Sequence, residues 1–166
     1  MSRFQAVFFD FNGVIIDDES VNYLNYIKNG VFVFPGVETL IQALAGEVWL
    51  GLVSGAPRQE IDFILRKIGL FARFDVVVSA NDVAFSKPHP EGYLKALDGV
   101  AALAAPTIID PSRCLVIEDS LAGIAAAHGA GMRCLAVATS YPAALLRKAD
   151  WVCERLEGIR LDELGV

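Results

Sequence analysis

Asp10, Ser54 with Gly55, Lys87, and Glu118 with Asp119 each end or closely follow an apolar run, and together they hold the group types that phosphoryl transfer needs. A phosphoryl group carries its charge on oxygen. Its transfer calls for an in-line nucleophile, a cation against that charge, and donors for the nonbridging oxygens. Asp10 can attack to give an aspartyl phosphate, a covalent route open to carboxylates. Mg2+ takes oxygen ligands, usually one or two carboxylates plus waters and phosphate. Asp10 and Asp119 can supply the carboxylates, and the backbone carbonyl at the Asn12 turn a third protein ligand. The Ser54 hydroxyl, the Gly55 amide and the Lys87 ammonium can hold the phosphate, each charge-assisted bond worth about 1.5 to 3 kcal/mol.

Groups so far apart in sequence meet only if the elements between them fold back in a regular way. Apolar runs rich in Val, Ile and Phe predict strands over residues 6–10, 48–54, 75–79, 114–119 and 133–138. Apolar residues at helical spacing predict helices over 36–46, 57–70, 89–99, 120–131 and 141–149, several closed by Gly or opened by Pro. The Ala-rich stretch 101–108 reads as a helix end or loop. Strands alternating with helices specify an α/β fold, a doubly wound (Rossmann-like) parallel sheet with helices on both faces, in one domain over 1–166. In such a sheet ligands bind outside the carboxyl ends of the strands, where these polar groups would converge.

Each group also has a plainer role. Lys87 could be a solvated loop lysine, Ser54 a helix cap ahead of Pro57, and Glu118 with Asp119 a cap for the helix from Ser120. Arg58 is a helix-surface residue or a substrate contact. His89 and His128 read as surface or packing residues, with no second His or Cys at metal spacing.

Composition narrows the function. A hydrophobic fraction of 54% in 166 residues suits a sheet buried on both faces. A net charge of -6 argues against nucleic acid or an anionic membrane as partner. Three widely spaced cysteines suggest a reducing, cytoplasmic setting without a disulfide framework, and the N-terminal stretch reads as neither signal nor transmembrane span.

The segments "DFNGVIIDDE", "LVSGA", "SKPHPEGY" and "VIEDSLAGIAAAHGAGM" resemble, in order, the four motifs of the haloacid dehalogenase-like (HAD) phosphohydrolases, especially the branch with beta-phosphoglucomutase and phosphoglycolate-type phosphatases. The resemblance covers about residues 4–140. It implies a phosphatase of small phosphorylated substrates, with Asp10 as nucleophile, Ser54 and Lys87 on the phosphate, Asp119 on Mg2+, and Glu118 orienting the metal shell through its waters.

Two departures stand out against that resemblance. Where family phosphatases carry an Asp that protonates the leaving oxygen, this chain has Asn12, whose amide can donate a hydrogen bond but not a proton. General acid–base catalysis contributes typically about 10² to 10⁴ in rate, so slow hydrolysis of alkyl phosphates is expected, with acyl or aryl phosphates less affected. The same residue favours the alternative, a non-catalytic phosphate-binding or regulatory module. Asn12 also precedes Gly13, a pair prone to deamidation in a flexible turn. The second departure is the helical cap, for which residues 17–35 leave room for one helix only. An open site would admit larger partners, and Tyr23, Tyr26 and Phe32 could form an apolar patch suited to a homodimer.

Overall fold

Alternation along the first strand decides the architecture. Val7 and Phe9 join one apolar cluster while Ala6 and Phe8 join another, and all four are fully buried. A strand covered on both faces is the condition of a parallel sheet. A computed structural model of the protein describes residues 4–17 and 30–160. Among these residues six strands form one sheet: β1 (Ala6–Phe9), β2 (Trp49–Val53), β3 (Val76–Val78), β4 (Cys114–Glu118), β5 (Arg133–Val137) and β6 (Trp151–Cys153). Every pairing is parallel, in the order β3-β2-β1-β4-β5-β6.

Among the described residues four α-helices cover the sheet: α1 (Val37–Leu44), α2 (Arg58–Lys67), α3 (Glu91–Ala104) and α4 (Leu121–Gly129). α1 and α2 bring Val37, Ile41, Ile61 and Ile64 against Phe9, Leu52 and Ile117. α3 and α4 bring Tyr93, Val100, Ile124 and Ala127 against Phe8, Val53 and Val116 on the other face. Fully burying one such large apolar side chain contributes about 1.5 to 3 kcal/mol. Phe8 also explains Gly51, its register partner on β2, because a Cβ there would collide with the Phe8 ring.

Each anticipated strand is present, and in each the last residue of the predicted run lies just past the paired segment. α3 runs on to Ala104, so Ala101–Ala104 continue the helix, as alanine's high propensity favours. The helix expected over 141–149 is instead a single 3₁₀ turn, Ala143–Leu145. Leu146 is the one fully buried residue of that stretch, too little apolar burial to stabilise a short helix. The sequence reading missed β6, three half-buried residues paired to β5, because so short a strand has no periodicity to detect.

The insert predicted over 17–35 is described only at its ends. Asp17 N–H donates to the Phe32 carbonyl at 3.1 Å and Phe34 N–H to the Ile15 carbonyl at 3.0 Å, so its two described flanks pair with each other. The helix expected within "VNYLNYIKNG", with Tyr23 and Tyr26, lies outside the described residues except for Gly30. Cys114, Cys134 and Cys153 are free thiols. No helix among the described residues is long and apolar enough to cross a membrane.

Candidate active site

β1 and β4 lie side by side, yet β2 and β3 extend the sheet one way and β5 and β6 the other. The connections therefore diverge at the carboxyl ends of β1 and β4, which opens the crevice where such sheets bind ligands. Asp10 leaves β1 at this point, and Glu118 and Asp119 end β4 beside it. One carboxylate oxygen from each of the three lies within 4.8 Å of the others.

Lys87 enters the crevice from the loop between β3 and α3. Its Nζ donates to Asp10 Oδ1, to Glu118 Oε1 at 2.7 Å and to the Val53 carbonyl at 3.1 Å. Those three acceptors use all three ammonium donors. Lys87 is thus paired inside the crevice and is not a solvated loop lysine. Burial opposes its charge, but the Asp10 and Glu118 carboxylates outweigh that cost and hold its pKa above the ordinary lysine value.

Glu118, 0% exposed, is the hub of this arrangement. Oε1 accepts from Lys87 and from the Tyr93 hydroxyl at 2.9 Å, while Oε2 accepts from the Asp119 and Ser120 amides and the Ser120 hydroxyl. Burial works against its ionisation, and Lys87 outweighs it, so Glu118 titrates below the usual carboxylate range. Ser120, not Glu118 or Asp119, caps α4 through the Gly123 amide at 3.0 Å. Gly123 is required at its position, since a Cβ there would land inside the Glu118 carboxyl group.

Asp10 and Asp119 lack such compensation. Burial, reinforced by the charges of Glu118 and Asp119, pushes Asp10 up to about 8 despite Lys87. Burial pushes Asp119 up to about 6 against the pull of a hydrogen bond from Ser140. Buried carboxylates short of positive charge, with Asn12 Oδ1 near them in sequence, buried and without a hydrogen-bond partner among the described residues, form an oxygen-rich donor set that suits a hard divalent cation.

Asn12 sits in the turn after Asp10 and bridges to Ile16. Gly13 adopts φ +81° there, a conformation open to glycine, and its N–H donates to the Ile16 carbonyl at 2.8 Å. Ser54 follows β2, and its Oγ accepts from the Ala56 amide at 3.0 Å, which leaves the hydroxyl proton to donate elsewhere. It is not the cap of α2, whose N-cap is Pro57. A Cβ built on Gly55 meets no heavy atom within 4 Å. Ser54, Gly55 and Lys87 all line one cavity of about 220 Å³. A larger cavity, about 470 Å³, is lined by Gln5, Trp49, Asp75 and Arg113 and holds none of these residues.

Three supporting residues escaped the sequence reading. Tyr93 lies inside the quoted "SKPHPEGY" but carries no chemical signal apart from its spacing. Thr139 and Ser140 follow β5, so the strand-end rule that selected Asp10 could have found them; Thr139 bonds the Gly13 carbonyl and Ser140 bonds Asp119. Arg58 is exposed and engages Asp62 and the Val77 carbonyl. His128 pairs at the surface with Asp150, at 3.0 Å.

A match to the description "Hydrolase: haloacid dehalogenase-like hydrolase" covers residues 20–131. Validoxylamine A 7'-phosphate phosphatase of Streptomyces hygroscopicus subsp. limoneus is 34% identical over 135 residues, 81% of this chain and 60% of that protein. Glycerol-1-phosphate phosphohydrolase 1 of Saccharomyces cerevisiae is 32% identical over 161 residues, 89% of this chain and 62% of that protein. The chain thus spans less than two thirds of either relative. A HAD hydrolase of family IA, variant 3, from Entamoeba histolytica has the same fold, with a TM-score of 0.80 at 18% identity over 97% of each chain. The chain belongs to the haloacid dehalogenase-like hydrolase family.

Proposed function

We propose that the chain is a Mg2+-dependent phosphatase of small phosphorylated metabolites, acting through an aspartyl phosphate on Asp10 and slowed by Asn12. The observation that carries this reading is the buried junction of Asp10, Glu118 and Asp119 with Lys87 at the sheet's switch point. Validoxylamine A 7'-phosphate and glycerol-1-phosphate, named in two relatives, support a phosphorylated metabolite as substrate.

An Asp10 oxygen attacks phosphorus, the bond from phosphorus to the leaving oxygen breaks, and the leaving group departs with the electron pair. Water then attacks the aspartyl phosphate at phosphorus, releasing phosphate and restoring Asp10. Because the Lys87 donors are already taken, substrate phosphate must displace one acceptor, and exchange with Asp10 frees the nucleophile. Ser54 and Gly55 donate to the remaining oxygens. Glu118 keeps Lys87 in place and, by exchanging one of the bonds that its oxygens already accept, would orient water at the metal site. Asp10, Asp119 and the Asn12 carbonyl would hold Mg2+, which when bound would neutralise phosphate charge and lower the two carboxylate pKa values. Asn12 can hydrogen-bond the leaving oxygen but cannot protonate it.

The reading places the protein in a reducing cytoplasm, as one domain without a full cap. Phe32, in the described end of the insert, is 59% exposed, and self-association through that face is part of the reading, to be checked by light scattering. The primary test measures phosphate release from acetyl phosphate and from a sugar phosphate, with Mg2+ or chelator, for the natural chain and Asn12→Asp. A gain of about 10² or more on the sugar phosphate, with Mg2+-dependent cleavage of acetyl phosphate by both proteins, is expected. No turnover of either compound by either protein would overturn the enzyme in favour of a binding module.

A further inference from the structure

We infer that the cavity beside Lys87 lodges a flat aromatic ring attached to the substrate's phosphate, so that the preferred substrate is an aryl phosphate monoester. This rests on the phosphatase reading above and narrows its substrate class. The cavity measures about 220 Å³, and Val53, Val78, Val83, Phe85 and Tyr93 give it apolar walls next to Ser54, Gly55 and Lys87. An apolar cavity of about 150 Å³ is enough to hold benzene. A phosphate held by Ser54, Gly55 and Lys87 would thus have a ring-sized apolar space against it.

The outer wall is aromatic, and its backbone is anchored. Phe85 is 60% exposed, and its ring lies 4.9 Å from that of His89, centroid to centroid, with a 38° tilt. The loop that carries Phe85 is clamped from α3, where the Glu91 carboxylate accepts from the Ala84 amide at 3.0 and 3.1 Å and from the Phe85 amide at 2.9 Å. His89 Nδ1 accepts from the Glu91 amide at 3.2 Å. The backbone that carries Phe85 is therefore held before any ligand arrives, which limits the ordering cost of binding to the side chain.

Asn12 makes the same demand by separate chemistry. With no proton to give, the site favours a leaving group that is stable as an anion, and a phenolate, whose conjugate acid has a pKa of about 10, meets that need. The bond from Asp10 to phosphorus forms, the bond from phosphorus to the aryl oxygen breaks, and the phenolate takes its proton from water.

Calorimetric titration of the Mg2+-loaded protein with phenylphosphonate and with methylphosphonate isolates the ring, since the two anions share a head group. Phenylphosphonate is expected to bind at least about tenfold more tightly. That ratio should fall toward one in both Phe85→Ala, which removes the wall, and Val83→Phe, which fills the space. A ratio near one in the natural protein, or one that both variants leave intact, overturns the ring site. If acetyl phosphate is still cleaved in that case, the phosphatase reading survives. If neither phosphonate binds and acetyl phosphate is not cleaved, both fail.

Discussion

Replacing Lys87 by Met keeps the length of the side chain and removes the charge that Asp10 and Glu118 share. In the natural protein without metal, Asp10 already titrates near 8 while Glu118 lies below the usual range. In Lys87→Met, Glu118, 0% exposed, loses its cation and its pKa rises above the unfolded value of about 4.3. A carboxyl whose folded pKa is raised contributes stability below the unfolded pKa and loses it as pH climbs toward the folded one. Natural Glu118 behaves in the opposite sense, so the stability gap between the proteins widens with pH. One additional retained proton corresponds to about 1.4 kcal/mol per pH unit, hence about 2.7 kcal/mol between pH 5 and pH 7. For a domain of this size that is about 5 to 11 °C of extra melting-temperature difference. The assay is thermal unfolding of both proteins in chelator at pH 5, 6 and 7. Parallel melting temperatures across that range would refute the claim that Lys87 holds Glu118 ionised.

Other outcomes follow from neighbouring geometry. Gly123→Ala drives a methyl group into the Glu118 carboxyl, and the cost of overpacking is about 1 to 3 kcal/mol or more, readable as a fall in urea midpoint. Ser140→Ala removes the bond that lowers Asp119, raising that carboxyl further above its present value of about 6. Mg2+ affinity in this variant should be weaker than in the natural protein at pH 6.5 and approach it at pH 8.5, by calorimetry. The Gly13 amide that would attack Asn12 during deamidation is bonded to Ile16. Peptide mapping of aged folded protein should therefore show slower mass gain at Asn12 than in the free peptide of the same sequence.

Much of the site was legible because strand ends announce themselves. Asp10, Ser54 and Asp119 each interrupt a β-branched or aromatic run at the point where the chain must turn, and parallel topology sends all such ends to one edge. Lys87 gave less on its own, because a loop lysine before proline looks the same whether buried or solvated; the surrounding "SKPHPEGY" carried it. Tyr93 was hidden for another reason. On α3 it has the spacing of an ordinary core residue, and only the fold brings its hydroxyl to Glu118. The 3₁₀ turn at Ala143–Leu145 misled because local alanine and leucine favour a helix, while tertiary burial, confined to Leu146, decides otherwise. β6 has too few residues for any pattern, so its place follows from its partner β5.

On the proposed phosphatase reading, the contacts of Lys87 also set when activity can arise during folding. Its bond to Asp10 closes a gap of 77 residues, and its bond to Glu118 one of 31. Contacts of such long sequence separation form slowly, because the chain entropy of closing the loops must be overcome first. Partly folded forms in which only β1 to β3 have assembled would present Asp10 without Glu118. Regain of Mg2+ binding and turnover should thus trail recovery of helical signal in refolding, so that the reaction itself reports completion of the sheet.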